Sequence, residues 1–135
     1  MSAHRLVDTN LIVRHLTQDH PRHSAIAAKL FAACDRGEVT LIILPEVLAE
    51  CVFVLDSFYG RSRGDISRTL GSLISSPGVE IGDRAIRLDA FQRYGKSKLH
   101  FVDCVLAAAA AASDTAVASF DSGLRKFSDV RVEVE

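Results

Sequence analysis

Residues 37–45 read GEVTLIILP, and the six positions from Val39 to Leu44 form an apolar, β-branched run too short for a helix. Gly37 and Pro45 bound the run, so it predicts a buried strand followed at once by a helix. Helical patterns lie on both sides. His20 and Pro21 open one that continues through Cys34, and Pro45 opens another that runs to about Tyr59, where Gly60 ends it. A strand set between helices is the repeating unit of a parallel sheet, because a parallel crossover needs a dozen or more residues and is usually helical.

The same alternation extends outwards. Before the first helix, His4 to Val7 predicts a buried strand that delivers Asp8 at its carboxyl end, followed by a short helix from Asn10 to Leu16. Further on come a helix from Asp65 to Ser75, stopped by Pro77 and Gly78, and a short strand from Val79 to Ile81. Asp83 is placed to cap a helix reaching Tyr94, and the alanine-rich Phe101 to Ala112 is strongly helical. Ala116 to Ser119 predicts a strand ending at Asp121, and Val130 to Val134 alternates like an edge strand. The expected fold is α/β, a parallel sheet with helices on both faces, whose working groups gather outside the carboxyl ends of the strands.

A chain of 135 residues with 48% hydrophobic and 24% charged residues is expected to form one packed domain over residues 1–135 rather than a disordered chain. No apolar run approaches the roughly 20 residues needed to cross a bilayer, and MSAHRLVDTN carries no secretory signal, so a cytoplasmic protein without membrane contact is expected. Cys34, Cys51 and Cys104 have no CxxC spacing and read as buried small hydrophobes. The net charge of −1 offers no global attraction to nucleic acid. Local basic clusters do occur at Arg61, Arg63 and Arg68, from Arg84 to Lys98, and at Arg125 with Lys126.

Four acidic residues stand out, each with an ordinary alternative. Asp8 leaves a strand with Thr9 and Asn10 behind it, and by itself could simply cap the next helix, worth about 1 kcal/mol. Glu50 lies about 40° beyond the edge of the apolar arc Val47, Leu48, Cys51, Val52, Val54 and Leu55, at 100° per residue, which marks it as semi-buried and inward-leaning. Its alternative is a boundary glutamate. Asp103 interrupts FVDCVLAAAAAA, so either a carboxylate is carried beside the core or it caps the first turn. Asp121 follows VASF and precedes Gly123, as a turn aspartate also would.

Carboxylates brought together stay ionised around hard cations such as magnesium or manganese, which neutralise phosphate charge and ionise water for phosphodiester hydrolysis. No HExxH spacing suggests zinc, and P-loop, GxGxxG and GxSxG signatures are absent. The rival enzyme is a phosphatase with Asp8 as nucleophile, but the second aspartate expected two residues on is Asn10.

Four segments in order, LVDTNLIVR (6–14), LPEVLAECVFVL (44–55), LHFVDCVLAAAA (99–110) and VASFDSGLRKF (117–127), resemble the PIN-domain ribonucleases, most closely the VapC-type toxins of bacterial toxin-antitoxin pairs. The resemblance implies a three-layer α/β/α PIN-like domain with a short central parallel sheet flanked by helices. It implies a metal-dependent endoribonuclease whose carboxylates, catalytic and metal-holding alike, are Asp8, Glu50, Asp103 and Asp121. Asn10 and Ser119 would be supporting polar groups, Ser119 standing where threonine is common. Mg2+ or Mn2+ as cofactor, RNA as substrate, a homodimer and a cognate antitoxin as partner are implied in the same way. The alternative is a non-catalytic RNA- or partner-binding module that retains the fold.

Overall fold

The computed structural model describes residues 3–133. In chain order the elements are β1 (Ala3–Leu6), α1 (Thr9–Thr17), α2 (Pro21–Asp35), β2 (Val39–Ile42), α3 (Pro45–Ser57), α4 (Arg63–Ile74), β3 (Val79–Glu80), α5 (Arg84–Gly95), α6 (Phe101–Ser113) and a short 3-10 helix (Ser122–Lys126). They fall into two compact units, Met1–Gly82 and Asp83–Glu135.

In the first unit the three strands are parallel in the order β1-β2-β3, with Leu6 opposite Ile42 and Ile42 opposite Glu80. The chain steps in one direction across this sheet. Right-handed crossovers therefore carry both helical pairs, α1 with α2 and α3 with α4, over one face, and α1 indeed packs against α3. β2 is the central strand, and Val39, Leu41 and Ile43 are buried as expected of the VTLIIL run. Leu41 and Leu48 are fully buried, each contributing about 2 kcal/mol by loss of apolar surface to water. β3 enters close to α2. A Cβ on Gly78 would lie 2.6 Å from the Cys34 carbonyl oxygen, so glycine is required where Gly78 O accepts from Leu41 N–H at 3.0 Å.

Two expectations are corrected. β1 is an edge strand, and Ala3 to Leu6 are all exposed, Leu6 by 68%; only Val7 beyond its end is buried. The physical reason is in HRLV itself, since His4 and Arg5 suit a strand with one wet edge better than a buried one. The strands expected at Ala116–Ser119 and Val130–Val134 reduce to a single parallel bridge, Val117 to Val132, made by Val117 N–H to Arg131 O (2.8 Å) and Glu133 N–H to Val117 O (2.9 Å); Val134 lies outside the described residues. Val117 and Val132 turn instead into a local cluster with Ala107, Ala110, Leu124 and Val130.

The helix starts follow the sequence with one difference. His20 caps α2, its Nδ1 accepting from His23 N–H at 3.2 Å, with Pro21 in the first turn. Asp83 precedes α5 as foreseen, but its φ of 52° puts it in the left-handed region and its side chain makes no capping bond. The three cysteines are buried thiols. No helix among the described residues is long and apolar enough to cross a membrane.

His15 on α1 stacks on Phe31 of α2, with centroids 4.3 Å apart, and its buried Nδ1 has no hydrogen-bond partner. Burial holds its pKa below the ordinary 6.5, opposed by the nearby Asp35 charge. The unfolded chain therefore binds the proton more readily. Stability is full above about pH 6.5 and falls as the pH drops below it, down to the folded-state value. Thermal melts from pH 8 to pH 5 are expected to show this decline, and His15→Gln is expected to flatten it; an equal slope in both proteins would remove His15 as the cause.

Candidate active site

Asp8 is delivered by the sheet. Val7 N–H donates to Ile42 O at 3.2 Å, extending the β1–β2 pairing to the residue before it, and Asp8 then turns the chain into α1 as its N-cap. Its Oδ1 accepts from Leu11 N–H at 2.9 Å. The ordinary capping role is thus real, and it fixes one carboxylate oxygen at the strand's carboxyl end. Glu50 reaches the same corner from α3, where its Oε1 accepts a hydrogen bond from Thr9 Oγ1. Glu50 is exposed rather than semi-buried. The apolar arc beside it behaves as read, with Leu48, Cys51, Val52 and Leu55 buried, so the glutamate at the arc's margin faces water.

The buried Cys51 thiol senses both acids. Its pKa is pushed up to about 12, first by burial and then by the charges of Glu50 and Asp8. The thiol is therefore a neutral filler near neutral pH, and two negative charges converge on one spot of the first unit. The Thr9–Glu50 bond that joins them crosses 41 residues of sequence and was not foreseeable from helical periodicity. Asn10, exposed on the first turn of α1, borders the same corner.

The second unit carries the other two acids. Asp103 stands in the first turn of α6 behind the N-cap His100, half-buried between buried Phe101 and Cys104. A carboxylate there meets the unpaired amides of the helix start favourably. Asp121 caps the 3-10 helix, its Oδ1 accepting from Gly123 N–H at 2.8 Å, while its own N–H donates to Ser119 Oγ at 3.0 Å. Ser119 thus orients the backbone of Asp121. Leu124, fully buried, anchors the segment, and a Cβ on Gly123 would lie 2.6 Å from Leu99 Cδ2 and 3.1 Å from Asp121 Oδ1. Glycine keeps that carboxylate uncrowded.

The PIN domain family model matches residues 5–130, nearly the whole chain. The chain belongs to the PIN domain family. No curated protein matches it. PIN domains are typically nucleases, hydrolases of nucleic acid, and generally use divalent metal ions. The parallel sheet and six α-helices of the described residues are those of a PIN-like α/β/α fold. The hard oxygens of Asp8, Glu50, Asp103 and Asp121 suit magnesium or manganese, and Asp8 with Glu50 supplies two such donors in one place. Among the described residues no three His, Cys, Asp or Glu side chains are grouped closely enough to hold a metal ion.

The basic clusters are less available than their sequence positions suggest. In this PIN domain Arg61 bonds Asp65 at 2.9 Å and Leu16 O at 3.4 Å, and Arg68 bonds Asp65 at 2.6 Å. Arg93, with only 11% of its side chain exposed, pairs with Asp89 and Asp129. Arg125 and Lys126 are exposed beside Asp121. Missed by sequence reasoning altogether was a groove of about 210 Å3 lined by Asp8, Asn10, Leu11, Arg14, His23 and Ile26. Its only sequence signal is that Asn10, Leu11 and Arg14 share a helix face at spacings of three and four.

Proposed function

We propose that this PIN-domain protein is a metal-dependent endoribonuclease and the toxin of a toxin-antitoxin pair, with residues 1–135 acting as one domain. The observation that carries the reading is the pair Asp8 and Glu50, joined through Thr9 at the carboxyl end of a parallel strand in a chain of a nuclease family. In this reading Asp8, Glu50, Asp103 and Asp121 are the acidic residues that serve Mg2+ or Mn2+. The cation, when bound, would neutralise phosphate charge and ease the loss of a proton from water, which generates the nucleophile for phosphodiester hydrolysis.

The chain's own groups do the positioning. Leu11 N–H fixes one oxygen of Asp8 and Thr9 fixes one of Glu50, leaving the remaining lone pairs for ligands. Ser119 and Gly123 hold the Asp121 corner in the same way. Arg125 and Lys126 supply positive charge for the RNA backbone near Asp121. Phe53 and Phe58, 67% and 84% exposed at α3 and its end, support a homodimer that covers them. A cognate antitoxin would restrain the site.

The test is cleavage of a mixed pool of structured RNAs by the purified protein with manganese or with chelator. Cleavage is expected only with the metal, and adding the cognate antitoxin is expected to stop it. Equal cleavage in chelator would overturn the metal-dependent reading, and RNA binding without cleavage under any metal would favour a binding module.

A further inference from the structure

We infer that the groove between α1 and the start of α2 is a subsite for a single unpaired nucleobase of the RNA, beside the cation proposed at Asp8. The inference rests on the ribonuclease reading above and names where that substrate is read. At about 210 Å3 the groove is below the 300–1,000 Å3 range typical of drug-sized ligand sites, which suits one planar ring system. Its walls are the apolar side chains of Leu11 and Ile26, and Ile26 is 54% exposed on a helix whose other face is core. Asp8 also lines it.

The rim is aromatic and basic. His20 and His23 stack with ring centroids 3.8 Å apart and planes 19° from parallel, so the His23 imidazole bordering the groove is a flat platform already backed by a second ring. Unpaired RNA bases are bound on such faces. The surface of this groove is almost wholly apolar, so stacking and apolar contact hold the base and set its preference; Arg14 lines the groove while its guanidinium is engaged by Asp19 (3.1 Å) and Tyr59 (3.5 Å). Arg22, exposed on the same first turn of α2 as His23, complements a phosphate charge.

The test separates this inference from the reading beneath it. His23→Ala leaves the α2 cap intact, because His20 accepts from the His23 backbone. Binding of a labelled eight-nucleotide single-stranded RNA is measured in chelator, for the intact strand and for strands carrying one abasic site at successive positions. The wild type is expected to lose about tenfold in affinity at one abasic position, the scale of a single stacked base. His23→Ala is expected to lose about tenfold on the intact strand and to ignore that abasic site. His23→Phe restores the loss, and Ile26→Ser repeats it.

In parallel, product ends from a random RNA pool cut with manganese are expected to show a base preference that His23→Ala relaxes. Wild-type affinity and preference in both His23→Ala and Ile26→Ser would overturn the subsite. Loss of antitoxin inhibition alone would also overturn it, as the groove would then be a protein dock. A wild type that cuts no RNA refutes the nuclease reading; the abasic scan then decides the groove by itself, upheld by a base-dependent loss and refuted by none.

Discussion

Asp8→Asn is expected to cleave RNA about a thousandfold more slowly than the wild type while melting at the same temperature, a loss on the scale of removing one preorganised transition-state contact. The separation is possible because Asp8 has two duties. As N-cap it needs only an oxygen that accepts from Leu11 N–H, and asparagine caps helices as well as aspartate does. As a proposed cation ligand it needs its charge, which asparagine lacks. Asp8→Ala removes both and is expected to lose about 1 kcal/mol of stability as well. Single-turnover cleavage and calorimetric melts of the three proteins check this. A fast, stable Asp8→Asn protein would reduce Asp8 to its cap.

Arg93→Ala is expected to lower the unfolding free energy by about 2–3 kcal/mol and to leave the salt dependence of RNA binding unchanged. Arg93 lies in the basic stretch from Arg84 to Lys98, yet its side chain is only 11% exposed. Its guanidinium bonds both oxygens of Asp129 at 2.9 and 2.6 Å, reaches Asp89 at 3.2 Å, and lies 4.9 Å from the centre of the Phe127 ring. Within the second unit it therefore ties the carboxyl-terminal segment to α5. The partners' exposure, 39% for Asp89 and 55% for Asp129, keeps the expected loss below that of a fully buried pair.

The same network makes this stabilisation depend on pH. Arg93 holds the Asp129 carboxyl below its ordinary 3.8, so that contribution is complete above this pH and is lost as the pH falls through the lower folded-state value. Denaturant unfolding of wild type and variant should therefore converge in strong acid. A changed salt slope with unchanged stability would instead make Arg93 an RNA contact.

The elements that were legible in the sequence are those whose signals are local. VTLIIL between Gly37 and Pro45 is a strand whatever surrounds it, and Pro21, Pro45 and Gly60 punctuate their helices through backbone geometry alone. Asp8 and Asp121 were legible as acids at chain turns, and both do cap the helices that follow them. The edge position of β1 was not legible, because four residues cannot report how many neighbours a strand will have. Neither was the reduction of 116–119 to one bridge, where Val117 is claimed by a local apolar cluster.

By itself, then, the sequence determined the alternation of short strands and helices, the parallel class that follows, and the family, because hydrophobic period, breakers and ordered motifs are properties of neighbouring residues. Only the tertiary structure decided which charges meet. It set Glu50 beside Thr9 and Asp8, bound Arg61 and Arg93 into ion pairs, and opened the groove between Leu11, His23 and Ile26. Those outcomes depend on how one helix face packs on another, and packing joins residues far apart in the chain through shape and solvent exclusion, which no local pattern encodes.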